Sequence, residues 1–110
     1  MSDDLTAKRC LPCEGGVRPL GEDESRTLLA RLDDWQLGER EIFKNYRFKN
    51  YHDAMAFVNA TAWISNREDH HPDIELSFNA CRVRYRTHAI DGLSENDFIC
   101  AAKIDALFKL

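Results

Sequence analysis

Apolar positions along the 110-residue chain recur with two periods, and each change of period marks an element. Leu28, Leu29 and Leu32 form a stripe at helical spacing. They follow Glu22, Asp23 and Glu24, whose charge suits the positive end of a helix dipole, so a helix is predicted over 22–33. Residues 35–37 read as a short strand, Gly38-Glu39 as a turn, and 41–48 as a second strand rich in aromatic side chains. Asn50 suits a helix start, its side chain capping free amides. A helix then runs through Ala54, Phe57, Val58, Thr61 and Ile64 to about Asp69. Pro72 ends it, because proline has no amide hydrogen and disfavours helix at its predecessor.

From 73 to 78 the period falls to two, with Ile74, Leu76 and Phe78 on one face and Asp73, Glu75 and Ser77 on the other. Asn79-Ala80 reads as a two-residue turn. Residues 81–87 alternate again, Cys81, Val83, Tyr85 and Thr87 against Arg82, Arg84 and Arg86. After a loop holding Asp91-Gly92, Ser94 and Asp97 have capping-box spacing for a last helix through Phe98, Ala101, Ala102 and Leu107. The order is α-β-β-α-β-β-α. Two hairpins and three helices predict a two-layer α+β domain, a four-stranded antiparallel sheet with three helices on one face.

Length and composition fit one such domain. At this size roughly 65% of the unfolded chain's surface can be buried, enough for a modest core. Residues 1–19 are expected to be a loosely ordered leader and 20–110 the single folded unit. The hydrophobic and charged fractions, 44% and 31%, are those of an ordinary soluble globule. The net charge of −4 argues against a general nucleic-acid binder, which needs a positive field. No apolar run approaches a membrane span. The segment MSDDLTAKRC lacks the apolar core of a secretory signal, so the cytoplasm is the expected compartment. There the four cysteines stay reduced. Cys10 and Cys13 have the spacing of a redox pair or half a zinc site. No second ligand pair exists, and Glu14-Gly15-Gly16 is turn material where a redox motif wants a helix. A leader without chemistry is the expectation, with metal or redox use as the alternatives.

Three features are candidates for chemistry. Arg82, Arg84 and Arg86 project from one strand face beside Asp73 and Glu75. Cross-strand charge pairing explains them, and an anion or partner contact is the alternative. His70 and His71 close a helix just before a proline. Histidine there is favourable through the dipole alone. It is also the side chain that titrates near neutrality, so the pair could serve a pocket as acid and base, joined by His88 from the end of the last strand. Adjacent residues diverge in direction, which makes a shared metal ion a poor reading. Asp97 either completes a cap with Ser94 or belongs to the same site.

The spacing of these residues matches a known signature. His70-His71-Pro72 is followed after five residues by Phe78, after nine more by His88, and after eight more by Asp97. This resembles the pterin-4a-carbinolamine dehydratase family, also called the dimerisation cofactor of a hepatocyte nuclear factor. "THAIDGLSENDFICAAKID" (87–105), "FKNYHDAMAFVN" (48–59) and "CLPCEGG" (10–16) are similar to that family as well. The resemblance implies dehydration of 4a-hydroxytetrahydropterin to quinonoid dihydropterin, with no metal, nucleotide or redox cofactor. It implies acid/base work and pterin contact for His70, His71 and His88, and an orienting role for Asp97. Pro72, Asn66 and Phe78 complete the substrate-binding or orienting set. It further implies a dimer or tetramer and, by analogy, an aromatic amino acid hydroxylase as partner. A non-catalytic binding module on the same fold is the competing reading. One position departs from the signature: Asn66 stands where an acid is usual, four residues before His70. At helical spacing the two share a face, so the missing charge is expected to alter the rate or pH optimum. Glu68 is expected to point elsewhere.

Overall fold

The computed structural model describes residues 4–12 and 18–109. Its elements are α1 (Glu22–Leu29), β1 (Gln36–Gly38), β2 (Glu41–Arg47), α2 (Tyr51–Glu68), β3 (Asp73–Leu76), β4 (Ala80–Tyr85) and α3 (Glu95–Ala106). Single 3-10 turns lie at Leu5–Ala7, His88–Ile90 and Leu107–Lys109. The strands form one antiparallel sheet in the order β1-β2-β4-β3, which keeps both predicted hairpins paired and joins them through β2 and β4. The central pair sets Ile42 across from Tyr85 and Tyr46 across from Cys81.

Alternation in β4 sends Cys81, Val83 and Tyr85 into the core. Phe57 and Ile64 of α2 and Phe98, Ile99 and Ile104 of α3 close over that face. Leu28 and Leu29 of α1 pack at the margin of the same cluster. Asp105, a buried carboxylate at one side of the core, accepts hydrogen bonds from Trp35 Nε1 (2.9 Å), Tyr46 Oη (2.7 Å) and Lys44 Nζ (3.0 Å). Three donors satisfy a carboxylate that burial would otherwise penalise. On the other face Arg84 reaches Glu75 at 2.6 Å and Arg82 donates to Asn45 at 2.7 Å. Cross-strand pairing therefore accounts for these two arginines.

Several boundaries differ from the sequence pattern. α1 ends at Leu29, and Leu32 joins the core from the turn beyond it. β3 ends at Leu76, because Ser77 N–H turns back to Ala80 O at 2.9 Å and Asn79 O accepts from Phe48 N–H at 2.8 Å. Phe78 therefore sits in the turn, 67% exposed, and leaves the apolar face its spacing suggested. Residues 4–12, in the segment expected to be a loose leader, lie against α3. Leu5 is buried, Lys8 pairs with Glu95 at 2.7 Å, and Leu11 exchanges two hydrogen bonds with the Asn96 side-chain amide (3.0 and 2.6 Å). Cys13 lies outside the described residues. Among the described residues no helix is long and apolar enough to cross a membrane.

Candidate active site

The site forms where three chain ends meet. α2 stops at Asp69, which adopts a left-handed conformation (φ 52°, ψ 43°). The His70 amide then returns to Ser65 O at 3.1 Å, so the chain reverses and His70 leaves the helical path. β4 stops at Tyr85, and the His88–Ile90 turn follows. α3 begins after Ser94, with Asp97 in its first turn.

Asp97 is fully buried, and its two oxygens do different work. Oδ2 accepts from Ser94 N–H at 3.0 Å and from Thr87 Oγ1 at 2.8 Å, which caps the helix and ties it to the end of β4. Oδ1 faces His70 Nε2 at 2.6 Å. One carboxylate thus both caps α3 and pairs with His70. The His70 ring stacks on Tyr85, with centroids 5.6 Å apart and planes within 9°. Burial by itself would lower the His70 pKa, but the hydrogen bond and charge of Asp97 outweigh it and hold the imidazole above its ordinary value. Since Asp97 engages Nε2, Nδ1 is the ring nitrogen left over.

His70, His71 and His88 all line one cleft of about 470 Å³, together with Thr87 and Arg86. That size suits a small heterocycle. His71 and His88 are exposed there, and His88 Nδ1 lies 3.4 Å from Arg86 Nη2. Cys10, Leu11 and Pro12 form a further wall. Among the described residues no group of three or more histidine, cysteine or carboxylate side chains is placed to hold a metal ion.

Three expected members, Pro72, Phe78 and Asn66, are not among the residues that line the cleft, and Asp97 meets it only through His70. Phe78 lies in the β3–β4 turn, and Asn66 is an exposed residue of α2. The reversal at Asp69 breaks the helical relation that would have set residue 66 over residue 70. Glu68, expected to point elsewhere, lines the cleft instead and is buried. It accepts from Cys10 N–H at 2.8 Å and Lys103 Nζ at 2.8 Å, and Arg9 Nε lies 3.3 Å away. Burial would raise its pKa, but the Cys10 amide and the Lys103 charge pull it below the usual carboxylate range. A carboxylate in the last turn of a helix opposes the dipole, and that was the signal that it must have a partner. Thr87 was read only as a strand residue. Alternation set it on the inward face with Tyr85, but its hydrogen bond to Asp97 of α3 was not legible from spacing.

Comparison with known proteins shows the family. Residues 18–107 match the profile of the family described as pterin 4 alpha carbinolamine dehydratase. A protein of Nitrosospira multiformis, provisionally named a pterin-4-alpha-carbinolamine dehydratase, is 59% identical over 98% of this chain and 96% of its own. One of Nitrosomonas europaea with the same provisional name is 60% identical over 96% and 95%. The crystal structure of a transcriptional coactivator/pterin dehydratase from Brucella melitensis superposes with a TM-score of 0.78 at 32% identity, covering 82% of this chain and 98% of that one. A pterin dehydratase-like protein described as a RuBisCO assembly factor in the alpha-carboxysome gives 0.56 at 27% identity, over 66% and 84%. The chain belongs to the pterin-4a-carbinolamine dehydratase family.

Proposed function

We propose that this protein dehydrates 4a-hydroxytetrahydropterin to quinonoid dihydropterin and water, recycling a pterin cofactor. The observation that carries the reading is the His70–Asp97 pair at 2.6 Å on the wall of a cleft that His71 and His88 also line. The reaction needs two proton transfers: one to the hydroxyl leaving C4a and one from N5. Hydroxide is a poor leaving group near neutrality, so a positioned acid is worth roughly 10²–10⁴-fold, and a positioned base a similar factor. Asp97 accepts from His70 Nε2–H, which leaves Nδ1 as a base when the ring is neutral and as an acid when it is charged. His88 and His71, in contact with solvent, are suited to the complementary transfer and to proton exchange with water. No step calls for a redox or metal cofactor. The setting we infer is cytoplasmic, with an aromatic amino acid hydroxylase as the source of the carbinolamine.

The solved neighbours named as a coactivator and as an assembly factor support a second reading, a protein-binding module. The two readings part on one measurement. Carbinolamine generated in a stopped-flow instrument should lose water faster with the protein than without it, in proportion to protein concentration. A rate equal to the spontaneous one would leave only the binding module.

A further inference from the structure

Cys10, on the cleft wall, brings its Sγ to 3.5 Å from the Sγ of Cys100 on α3. The two residues are 90 positions apart in the chain. Cys100 Sγ also points at the His70 carbonyl oxygen, 3.8 Å away. The approach is held from both sides. The Cys10 amide donates to the buried Glu68, and the next residue, Leu11, is clasped by Asn96. Cys100 is fully buried in the helix core, whereas Cys10 is partly open to the cleft. Among the described residues the thiol beside Cys10 is that of Cys100.

We propose that Cys10 and Cys100 are an oxidisable thiol pair, closed to a disulfide by hydrogen peroxide, that fastens the segment around Cys10 to α3 as a fixed wall of the cleft. The chemistry balances. One sulfur attacks the peroxide O–O bond and becomes a sulfenic acid as hydroxide leaves. The second sulfur attacks the first, the S–S bond forms, and the sulfenic oxygen departs as water. Two thiols and one peroxide give one disulfide and two waters. The sulfurs need to close from 3.5 Å to about 2.05 Å to form the bond. The contact between the two sulfurs, together with burial, raises the Cys10 thiol; it lowers that of Cys100, against the cost of burial and with help from the His70 charge, so Cys100 is the sulfur favoured to ionise. Thiolate is the form that reacts.

The test is a map of thiols in the whole protein after about one equivalent of peroxide per chain, digested without reduction. The readout is a linkage and not pterin turnover, so it stands or falls separately from the dehydratase reading. A peptide pair joined through Cys10 and Cys100, two hydrogens lighter than the free peptides, is expected. It should persist in Cys13→Ser and vanish in Cys10→Ser and Cys100→Ser. Cys10→Ser, at a half-buried position, decides the matter even if Cys100→Ser fails to fold. Linkage of Cys10 to Cys13, oxidation of Cys10 without linkage, or no reaction would overturn the proposal.

Discussion

Replacing Asp97 by asparagine changes one atom and tests the electrostatics of the site. Oδ2 of Asp97 receives two donors, the Ser94 N–H and the Thr87 hydroxyl. In the variant the amide oxygen must take that place, which turns the NH2 group toward His70 Nε2. A neutral His70 then has to accept at Nε2 and carry its proton on Nδ1, the tautomer opposite to the one the carboxylate selects. Nδ1, the nitrogen proposed above as the base, then becomes a donor. Carboxylate-to-amide replacement beside an imidazole can cost up to about 10⁴-fold in rate for this reason. A loss of 10²–10⁴-fold is the expected range, set by the worth of one positioned proton transfer. Stability should fall as well. The His70 pKa is raised in the folded protein, so its bonus is fully present below about pH 6.5 and is lost as pH rises through the folded value. The side chains are 12% and 0% exposed, so solvent screens the pair little, and a charged hydrogen bond there is worth about 1.5–3 kcal/mol. The variant should therefore melt earlier than the wild type at pH 5, and the gap should narrow at pH 8. Stopped-flow dehydration, nitrogen NMR of the imidazole and melting at both pH values measure the three effects. A rate within twofold of wild type, with the His70 tautomer unchanged, would refute the reasoning.

Further predictions follow from other contacts. Glu68→Gln should cost about 1.5–3 kcal/mol near neutrality. Because the Glu68 pKa is lowered on folding, that loss should disappear in urea melts as pH falls through the folded value. Asp105→Ala strands the donors of Trp35, Tyr46 and Lys44 and should destabilise by about 3–5 kcal/mol by denaturant titration. Asn66→Glu should leave the pH profile of dehydration unmoved, since residue 66 is an exposed residue of α2 beyond the Asp69 reversal. The sheet ends at β1 and β3, so light scattering is expected to return a dimer or tetramer mass, and a monomer at micromolar concentration would contradict that.

The fold was legible because the two periods are clean. Cys81, Val83 and Tyr85 alternate without a break, and the Asn50 and Ser94 signals set two helix starts within a residue. The cleft histidines and Asp97 were legible from spacing, since residue type and sequence distance are what the signature records. What spacing could not carry was direction after a chain reversal. Asp69 in the left-handed region turned His70 off the helix, so Glu68 lines the cleft wall and Asn66 does not. Long-range pairs were also out of reach. Nothing near Cys10 in the sequence points to Cys100, and nothing near Trp35 points to Asp105.

The central claim is that His70 and His88 act as one proton-transfer unit in the cleft. A cycle of His70→Gln, His88→Gln and the double variant, assayed by single-turnover dehydration with folding checked by melting curves, tests it most directly. Residues that act as a unit lose together, so each single variant should lose nearly as much of the catalysed rate as the double. Single variants that keep the wild-type rate, or whose losses multiply independently in the double, would contradict the account.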